Sequence, residues 1–218
     1  MYKNGIPLGK LTESKRGAEV SKKYLRENIN GCETLIGQDM QKYSISWNRT
    51  YLPTNHKEYQ RLKKHFDSEC IFLRRVDSML EATVSLGKHY GFNKNVYGIK
   101  KRIGCKYEML YLLACINSKA LDFYYKKRFS TKKTDVFPEI QTYLYEQLPI
   151  PSVSKETQSR IIEIVNEILL TKSKNPNAAT LSQEATIDII IFKLFDLTYE
   201  EVLSIDNTIS FTRQEYEE

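Results

Sequence analysis

The stretch YEMLYLLACINSKALDFYYKKRF, residues 107–129, determines the helical part of the fold. It is long enough for two helices, and Asn117-Ser118 in its middle is typical of a helix cap. The sequence predicts one helix from about Tyr107 to Ile116 and a second from Ser118 to Phe129. Cys115 lies inside the apolar run and is predicted to be a core residue. The four cysteines form no CxxC pair, so we expect reduced, structural thiols and no zinc site.

Short apolar segments before this stretch are typical of strands. Residues 70–76, CIFLRRV, predict a strand whose apolar run breaks at Arg74 and Arg75. A helix is predicted within residues 56–69. Four more strands are predicted: residues 6–11, entering a basic turn at Ser14–Gly17; Tyr43–Trp47; Glu81–Lys88, with Ala82, Val84 and Leu86 on one face; and Asn95–Ile99. These elements predict an α+β fold with a mixed sheet and packed helices.

The pair Pro149 and Pro151 marks the best predicted domain boundary. Residues 1–150 form the first predicted domain and residues 151–218 a helical spacer or dimerisation element. Ser154 is predicted to cap a helix to about Lys172, and a second helix begins at Thr180 or Ser182. A capping box at Thr198–Glu201 starts a third. Two apolar stripes are predicted to pack together: Ile161, Ile162, Val165, Ile168 and Leu169 against Ile187, Ile190, Ile191 and Leu194.

Charge is distributed unevenly between these two parts. The net charge of the chain is +6, but residues 1–150 carry +12 and residues 151–218 carry −6. An uneven distribution of this kind favours one part facing an acidic partner. No apolar run approaches the ~20 residues of a membrane helix, and the N-terminus lacks a signal-peptide core. We therefore expect a cytoplasmic protein that does not bind membranes.

Motifs for catalysis are missing from the sequence. Methyl transfer to DNA needs a glycine-rich cofactor loop and an Asn/Asp-Pro-Pro-aromatic motif, and Asn175–Ala178 resembles the second only superficially. A phosphate-binding GxxxxGK[ST] loop and a GxSxG elbow are also absent. The sequence therefore predicts no catalytic site and no metal site in this chain.

Groups of basic residues are the more informative feature. They favour a nucleic-acid partner, because Lys and Arg neutralise phosphates while Arg and polar side chains read base edges. Each group alone is typical of a solvated surface; several in the half that carries the positive charge favour binding. The groups are Lys15 and Arg16; Arg74 and Arg75; Lys100, Lys101, Arg102 and Lys106; and Lys126, Lys127, Arg128, Lys132 and Lys133.

Several segments together resemble one family. IPLGKLTESKRG (6–17) is similar to its opening strand and Arg-Gly turn, and LIGQDMQKYSI (35–45) to its G-[KQ]-D-[IM]-x-[KR]-Y segment. The Arg-Arg strand, the helix pair broken at Asn-Ser, and FPEI followed by LPIP match in order. The chain resembles the TaqI-like C-terminal specificity domain of type IIG restriction and adenine-N6 methyltransferase enzymes, which is related to type I specificity subunits. The resemblance covers about residues 6–172.

This resemblance implies a non-catalytic domain that recognises a duplex DNA sequence. The partners that it implies are double-stranded DNA and a methyltransferase domain or subunit, with a nuclease as a further possibility. S-adenosylmethionine and Mg²⁺ are expected only for the other parts of a parent enzyme, and dimerisation through the C-terminal helices is possible. The candidate DNA-binding residues are Lys15, Arg16, Asp39, Lys42, Arg74, Arg75, Lys101, Arg102, Lys132 and Lys133.

Three alternatives stay open at this point. The first is a type I specificity half-subunit, which a long exposed helical pair would favour over a hairpin folded back on the domain. The second is a small Mg²⁺-dependent nuclease that uses Asp67, Glu69, Asp77 and Glu81. The third is an interaction module that does not bind DNA.

Overall fold

The computed structural model of the chain describes residues 5–75, 79–129, 139–209 and 211–217. Short strands interspersed with helices up to Ile150, followed by helices in the described part of the remainder, give the α+β fold that the sequence predicts. The strands are β1 (Ile6–Pro7), β2 (Thr12–Arg16), β3 (Cys32–Leu35), β4 (Met40–Gln41), β5 (Ser44–Ile45), β6 (Tyr51–Leu52), β7 (Ile71–Arg74), β8 (Ala82–Val84), β9 (Gly91–Phe92), β10 (Val96–Lys101) and β11 (Pro149–Ile150). The helices are α1 (Leu8–Leu11), α2 (Lys22–Glu27), α3 (Lys57–Phe66), α4 (Met109–Asn117), α5 (Lys119–Phe129), α6 (Thr142–Tyr145), α7 (Lys155–Lys174), α8 (Leu181–Leu194), α9 (Tyr199–Ile205) and α10 (Arg213–Glu217), and a 3-10 turn spans Gly37–Asp39.

A four-stranded antiparallel sheet, in the order β2-β10-β7-β8, lies at the centre of the fold. Successive side chains of a strand point to opposite faces, and both faces here are apolar. Ile71 and Leu73 of β7 belong to one hydrophobic core, whereas Phe72 between them belongs to another. The sheet therefore separates two cores, and a partner can reach it only at its ends and edges.

The helices form the first core on one face of this sheet. Helix α4 is almost entirely buried from Tyr111 to Asn117, and it packs against both β8 and α7. Helix α7 in turn packs on α8, and α8 and α9 contact α5. The strand pair β1-β11 joins this core, because Ile6 pairs with Ile150. The predicted packing of α7 on α8 is confirmed, but the buried residues of α7 also cover α4.

The second core lies between the central sheet and a three-stranded sheet in the order β6-β3-β9. Phe92 of β9 is fully buried there and makes edge-to-face contacts with Phe66 of α3 and Phe72 of β7. Helices α2 and α3 contribute Leu25 and Leu62. This core supports the turns that surround one end of the central sheet.

The predicted strand at residues 6–11 is wrong in part. Only Ile6 and Pro7 are extended; Leu8–Leu11 is a helical turn with Leu8 and Leu11 buried, as their i, i+3 spacing allows. The basic segment that follows is strand β2 and not a turn. It is extended because it pairs with β10, a partner far along the chain that local sequence does not reveal.

Two further strands are shorter than predicted. Tyr43 lies in the two-residue loop of the β4-β5 hairpin with φ of 58°, so only Ser44 and Ile45 of the predicted segment 43–47 are extended. Strand β8 ends at Val84, and Leu86 is 56% exposed, so Leu86 does not share the inner face of Ala82 and Val84.

The other predicted elements are confirmed. The structure has the helices around 56–69, 107–116, 118–129 and 154–172 and the strands at 70–76 and 95–99 with small shifts of their ends. Thr198 and Glu201 form the predicted capping box. All four cysteines are unpaired thiols. In the part of the chain that the structure describes, no helix is long and apolar enough to cross a membrane.

Candidate nucleic-acid interface

Two cationic strand ends lie side by side at one end of the central sheet. In the antiparallel register, Arg16 of β2 pairs with Tyr97 and Arg74 of β7 pairs with Val96. The two arginines therefore flank the start of β10 from either side. Lys15 precedes Arg16 on the edge strand and is exposed. The fold thus brings these two strand ends together, with the Arg16 side chain on the face of Tyr97 and the Arg74 side chain on the opposite face, that of Val96.

A carboxylate, Glu19, lies among these cations. Its Oε2 is 3.3 Å from Nη2 of Arg16 and its Oε1 is 2.9 Å from Nζ of Lys94, while Arg16 Nε donates to the Lys94 carbonyl at 3.2 Å. The hydrogen bond from Lys94 and the charges of Arg16, Lys94 and Arg75 lower the pKa of Glu19 against a smaller effect of burial. Arg16 and Lys94 at this end of the sheet therefore share Glu19 as a counter-charge.

The two adjacent arginines have carboxylate partners of their own. Arg74 Nη1 donates to Glu81 Oε2 at 2.9 Å, and the guanidinium of Arg75 pairs with Glu139. The side chain of Arg74 is 31% exposed and that of Arg75 only 15%. The Arg75 backbone N–H also donates to the Asn95 carbonyl at 2.9 Å, which joins β7 to the turn before β10. Arg74 is thus the more accessible of the two to a ligand.

Asp39 and Lys42 make contacts inside the protein. Asp39 is 3% exposed, and its Oδ2 accepts the backbone N–H of Ile36 at 3.0 Å, which fixes the 3-10 turn. Lys42 Nζ donates to the carbonyl of Asn117 at 2.8 Å at the end of α4. The Asn117 carboxamide bonds both backbone groups of Ala82. These contacts position the hairpin and turn; DNA contact by either side chain stays an untested prediction.

Lys101 and Arg102 lie at the opposite end of β10. Lys101 pairs in register with Thr12, and its Nζ is 3.0 Å from Glu108 Oε2. Arg102 Nε donates to the Gly9 carbonyl at 3.2 Å. At ~3.3 Å per residue, this second cationic site is about 13–17 Å from the first. Lys132 and Lys133 fall in the segment 130–138, outside the described residues.

A polar cleft of about 270 Å³ opens beside Arg74. Four segments form it: the start of α2, the 3-10 turn, the end of β7 and the turn before β10. It is lined by Lys22, Ile36, Gly37, Gln38, Arg74, Asn93 and Asn95. The sequence prediction contained only Arg74 of this set, although Gln38 lies in the recognised GQDM segment and the run Asn93-Lys94-Asn95 is polar and basic.

The carboxylates of the nuclease alternative do not converge. Glu69 precedes β7, whereas Glu81 lies opposite Arg74 at the other end of that strand. Five residues of extended chain separate those ends by about 16 Å, too far to share one metal ion. Among the described residues, no group of three His, Cys, Asp or Glu is placed to hold a metal. Asp77 lies outside those residues.

The thiols are not poised for nucleophilic chemistry. Burial raises the pKa of Cys32 to about 11 and those of Cys70 and Cys115 to about 12. These three thiols are therefore protonated at neutral pH, and only the thiolate is an effective nucleophile. The predicted structural role of Cys115 agrees with its complete burial.

Comparison with known families identifies the class of protein. The model of the TaqI-like C-terminal specificity domain matches residues 32–150, which is more than half of the chain. This chain belongs to the family of TaqI-like C-terminal specificity domains. The matched region contains the 3-10 turn, β7, β10 and every lining residue of the polar cleft except Lys22. No curated protein matches the chain.

Solved structures share the fold. The HsdS subunit from Thermoanaerobacter tengcongensis superposes with a TM-score of 0.50 and 15% identity over 87% of this chain and 44% of that one. A chain from a structure on complex assembly and conformational transition of the type I R-M system superposes with a TM-score of 0.52 and 17% identity. That match covers 88% of this chain and 44% of the solved chain. This chain thus spans less than half the length of the two solved chains.

Proposed function

We propose that this chain recognises a DNA sequence for a restriction-modification system and contributes no catalytic group of its own. Its membership of a specificity-domain family carries the proposal. The cationic end of the central sheet supports it independently, because the strand ends that carry Lys15, Arg16 and Arg74 lie side by side there, and Arg16 bonds the Lys94 carbonyl. S-adenosylmethionine and Mg²⁺ would serve other parts of a parent enzyme.

The separation of the two cationic sites fits a duplex. Both faces of the sheet are covered, so DNA must approach its ends and its β2 edge. Arg16 and Arg74 lie at one end of β10 and Lys101 and Arg102 at the other, a span of the same order as the ~12 Å width of the major groove. The two sites would contact phosphates on opposite sides of a groove.

The direct test is a titration of labelled duplex DNA with the 218-residue chain over a range of salt concentrations. Each phosphate contact contributes about 0.9 to the slope of log K against log salt, so affinity should fall steeply. The absence of binding at about 50 mM salt, where such contacts are strongest, would refute the proposal.

The sharper test combines Arg74→Ala with Arg75→Ala. Removal of both cations should weaken binding and reduce the salt slope by up to about 2, with Arg74, the more exposed of the two, contributing more. Lys63→Ala plus Lys64→Ala on α3 is a matched control, because both lysines are exposed and lie outside the proposed site. If Arg74 and Arg75 proved dispensable while Lys132→Ala plus Lys133→Ala abolished binding, the ranking of sites would be wrong.

A type I specificity half-subunit is the second candidate, favoured by the shared fold of the solved chains. It differs in its partner, which would be a separate methyltransferase subunit, and in a possible dimer through the C-terminal helices. Helices α7 and α8 fold back on α4 and α5 and do not form a long exposed pair. A folded-back hairpin favours a domain of a fused enzyme. Light scattering distinguishes the two when it measures the mass of the purified chain by itself and after co-expression with a methyltransferase subunit. A monomer that binds no methyltransferase supports the fused form.

A further inference from the structure

The polar cleft beside Arg74 is built on rigid backbone. The Asn93 N–H donates to the Leu35 carbonyl at 2.9 Å, and the Arg75 N–H donates to the Asn95 carbonyl at 2.9 Å. The Asp39 carboxylate holds the turn that presents Gln38. Lys22 donates to the Gln38 side-chain oxygen across the opening. The backbone around the cleft is thus held in place by contacts behind it, and the Gln38 side chain is also held by Lys22.

The chemistry of the lining differs from that of the surrounding cationic surface. A phosphate site needs only donors, but three carboxamides line this cleft. Asn95 offers both a donor and an acceptor, whereas the oxygens of Gln38 and Asn93 already accept from Lys22 and from the Asn95 N–H, so these two chiefly offer their NH₂ groups. The Asn95 carboxamide has no hydrogen-bond partner among the described residues, because the bond recorded for Asn95 at Asn93 Oδ1 uses its backbone N–H. No Asp or Glu is among the lining residues that the structure describes. A neutral ligand edge with alternating donors and acceptors fits this lining.

The size and surroundings of the cleft further limit the kind of ligand that it can bind. At about 270 Å³ the cleft is below the ~300–1,000 Å³ of most small-molecule pockets, so it suits a group presented by a larger partner. Lys94 stands between the lining residues Asn93 and Asn95 in the chain, and its carbonyl accepts from Arg16 Nε. In protein–DNA interfaces, phosphate contacts position the duplex while carboxamides and arginines read base edges. Asn or Gln bonds adenine at N6 and N7, and Arg bonds guanine at O6 and N7.

We propose that this cleft reads a purine edge in the major groove, with Asn95 as the carboxamide that binds adenine and Gln38 as a second specificity-determining residue. The inference rests on the proposed DNA-recognition function. It assigns the residues that read the base sequence, whereas Arg16, Lys94 and their neighbours would bind the phosphates of the DNA backbone.

Gly37 offers a way to fill the cleft without straining the protein. Its φ is not in the left-handed region, and an added Cβ would lie 3.7 Å from Asn95 Cβ and 3.8 Å from Arg74 Cγ, which is ordinary contact. Gly37→Leu would therefore place its branched end between these two lining residues. Asn95→Ala and Gln38→Ala remove the proposed hydrogen bonds instead, and exposed Asn48→Ala is the matched control.

The experiment selects bound duplexes from a randomised library with the wild type and each variant, alongside affinity for bulk DNA and the unfolding midpoint. We expect the wild type to enrich one motif. Asn95→Ala, Gln38→Ala and Gly37→Leu should lower the preference at one or two positions roughly 5- to 150-fold, with bulk affinity changed less than about twofold. Asn48→Ala should leave the motif unchanged.

Two other outcomes overturn the inference and separate it from the proposed function. If all cleft variants keep the wild-type motif, the cleft does not read sequence, although the chain still recognises DNA. If the folded wild type enriches no motif, sequence recognition fails and the cleft assignment fails with it. A variant whose unfolding midpoint drops is replaced by Asn95→Asp, which keeps the shape but cannot donate to adenine N7 and should lose the same preference.

Discussion

Gly98 in the middle of β10 is a residue on which the second core depends. A Cβ at this position would lie 2.2 Å from the Phe92 ring, far inside contact distance, and Phe92 itself is fixed between other aromatic rings. Gly98→Ala should therefore destabilise the chain by about 1–3 kcal/mol through overpacking, measured by urea unfolding. Gly37→Ala, where a Cβ meets only ordinary contacts, is the control. Equal midpoints for both variants would contradict this packing argument.

Asp188 is a residue whose ionisation should oppose folding. Burial raises the pKa of its carboxyl to about 6, although the Lys119 N–H and the charges of Lys42 and Lys119 lower it. Because the folded pKa exceeds the unfolded one, this group stabilises the fold at low pH and loses that contribution as pH rises from about 4 to 6. At pH 7.5 the ionised group costs up to about 3 kcal/mol.

Asp188→Asn should remove that cost, since its oxygen can still accept the Lys119 N–H at 2.9 Å. We expect the variant to be more stable than the wild type at pH 7.5, with the difference shrinking towards pH 4.5, in urea titrations at both pH values. The exposed Asp196→Asn serves as the control. A difference independent of pH would show that ionisation of Asp188 is not responsible.

At the residue scale, the cations of the candidate site were easier to predict from the sequence than the polar residues that lie beside them in the fold. Arg74 and Arg75 stand out because charge interrupts an apolar strand. Asn95 and Lys22 do not stand out, because polar residues are common in turns and only the folded chain brings these two together. Asp39, in contrast, was predicted as a site residue because its segment resembles a family motif. In the fold its carboxylate is buried and accepts the backbone N–H of Ile36.

At the element scale, β2 shows why local pattern was insufficient. Its residues TESKR have no apolar alternation, and it is a strand only because β10 pairs with it. Helices α4 and α5 were predictable because their hydrogen bonds and caps are local. Elements that depend on distant partners were predicted less well throughout the first 50 residues.

Glu19, in the segment between β2 and α2, forms ion pairs with Arg16 and Lys94. If that end of the sheet binds DNA as we propose, these pairs would have to be exchanged for phosphate contacts, and Glu19 would limit the affinity. Glu19→Gln should raise affinity for duplex DNA about two- to five-fold at low salt, with less effect at high salt. Glu27→Gln breaks an exposed pair with Lys23 on α2 and removes the same charge. Equal gains from both variants in anisotropy titrations would indicate a net-charge effect only.

At the scale of the whole molecule, the first core extends across the predicted boundary at residue 150. Ile161, Val165 and Ile168 of α7 are completely buried in it with α4, and Tyr111 Oη donates to the Pro151 carbonyl at 2.8 Å. Each buried aliphatic side chain contributes about 1.5–3 kcal/mol, and three approach the 5–15 kcal/mol stability of a typical domain. The division into residues 1–150 and 151–218 stays a prediction, and this packing allows it to be tested.

A chain truncated after residue 152 should lose cooperative unfolding, because α4 would expose the surface that α7 covers. Circular dichroism during thermal unfolding measures this. A chain ending at residue 206, which loses only the last short helix and its connector, should remain folded. A sharp transition in the shorter chain would instead establish residues 1–150 as an independent domain.

The short pair β1-β11 also governs the order in which the chain can fold. Ile6 meets Ile150, and the N–H groups of Leu8 and Gly9 donate to the carbonyls of Leu148 and Glu146. These contacts have very large sequence separation, and closing so long a loop is slow compared with forming local helices. During synthesis residues 6–11 cannot make these contacts until about 140 further residues, through Ile150, have emerged, so we expect this segment to become protected from hydrogen exchange later than the local helices α4 and α5.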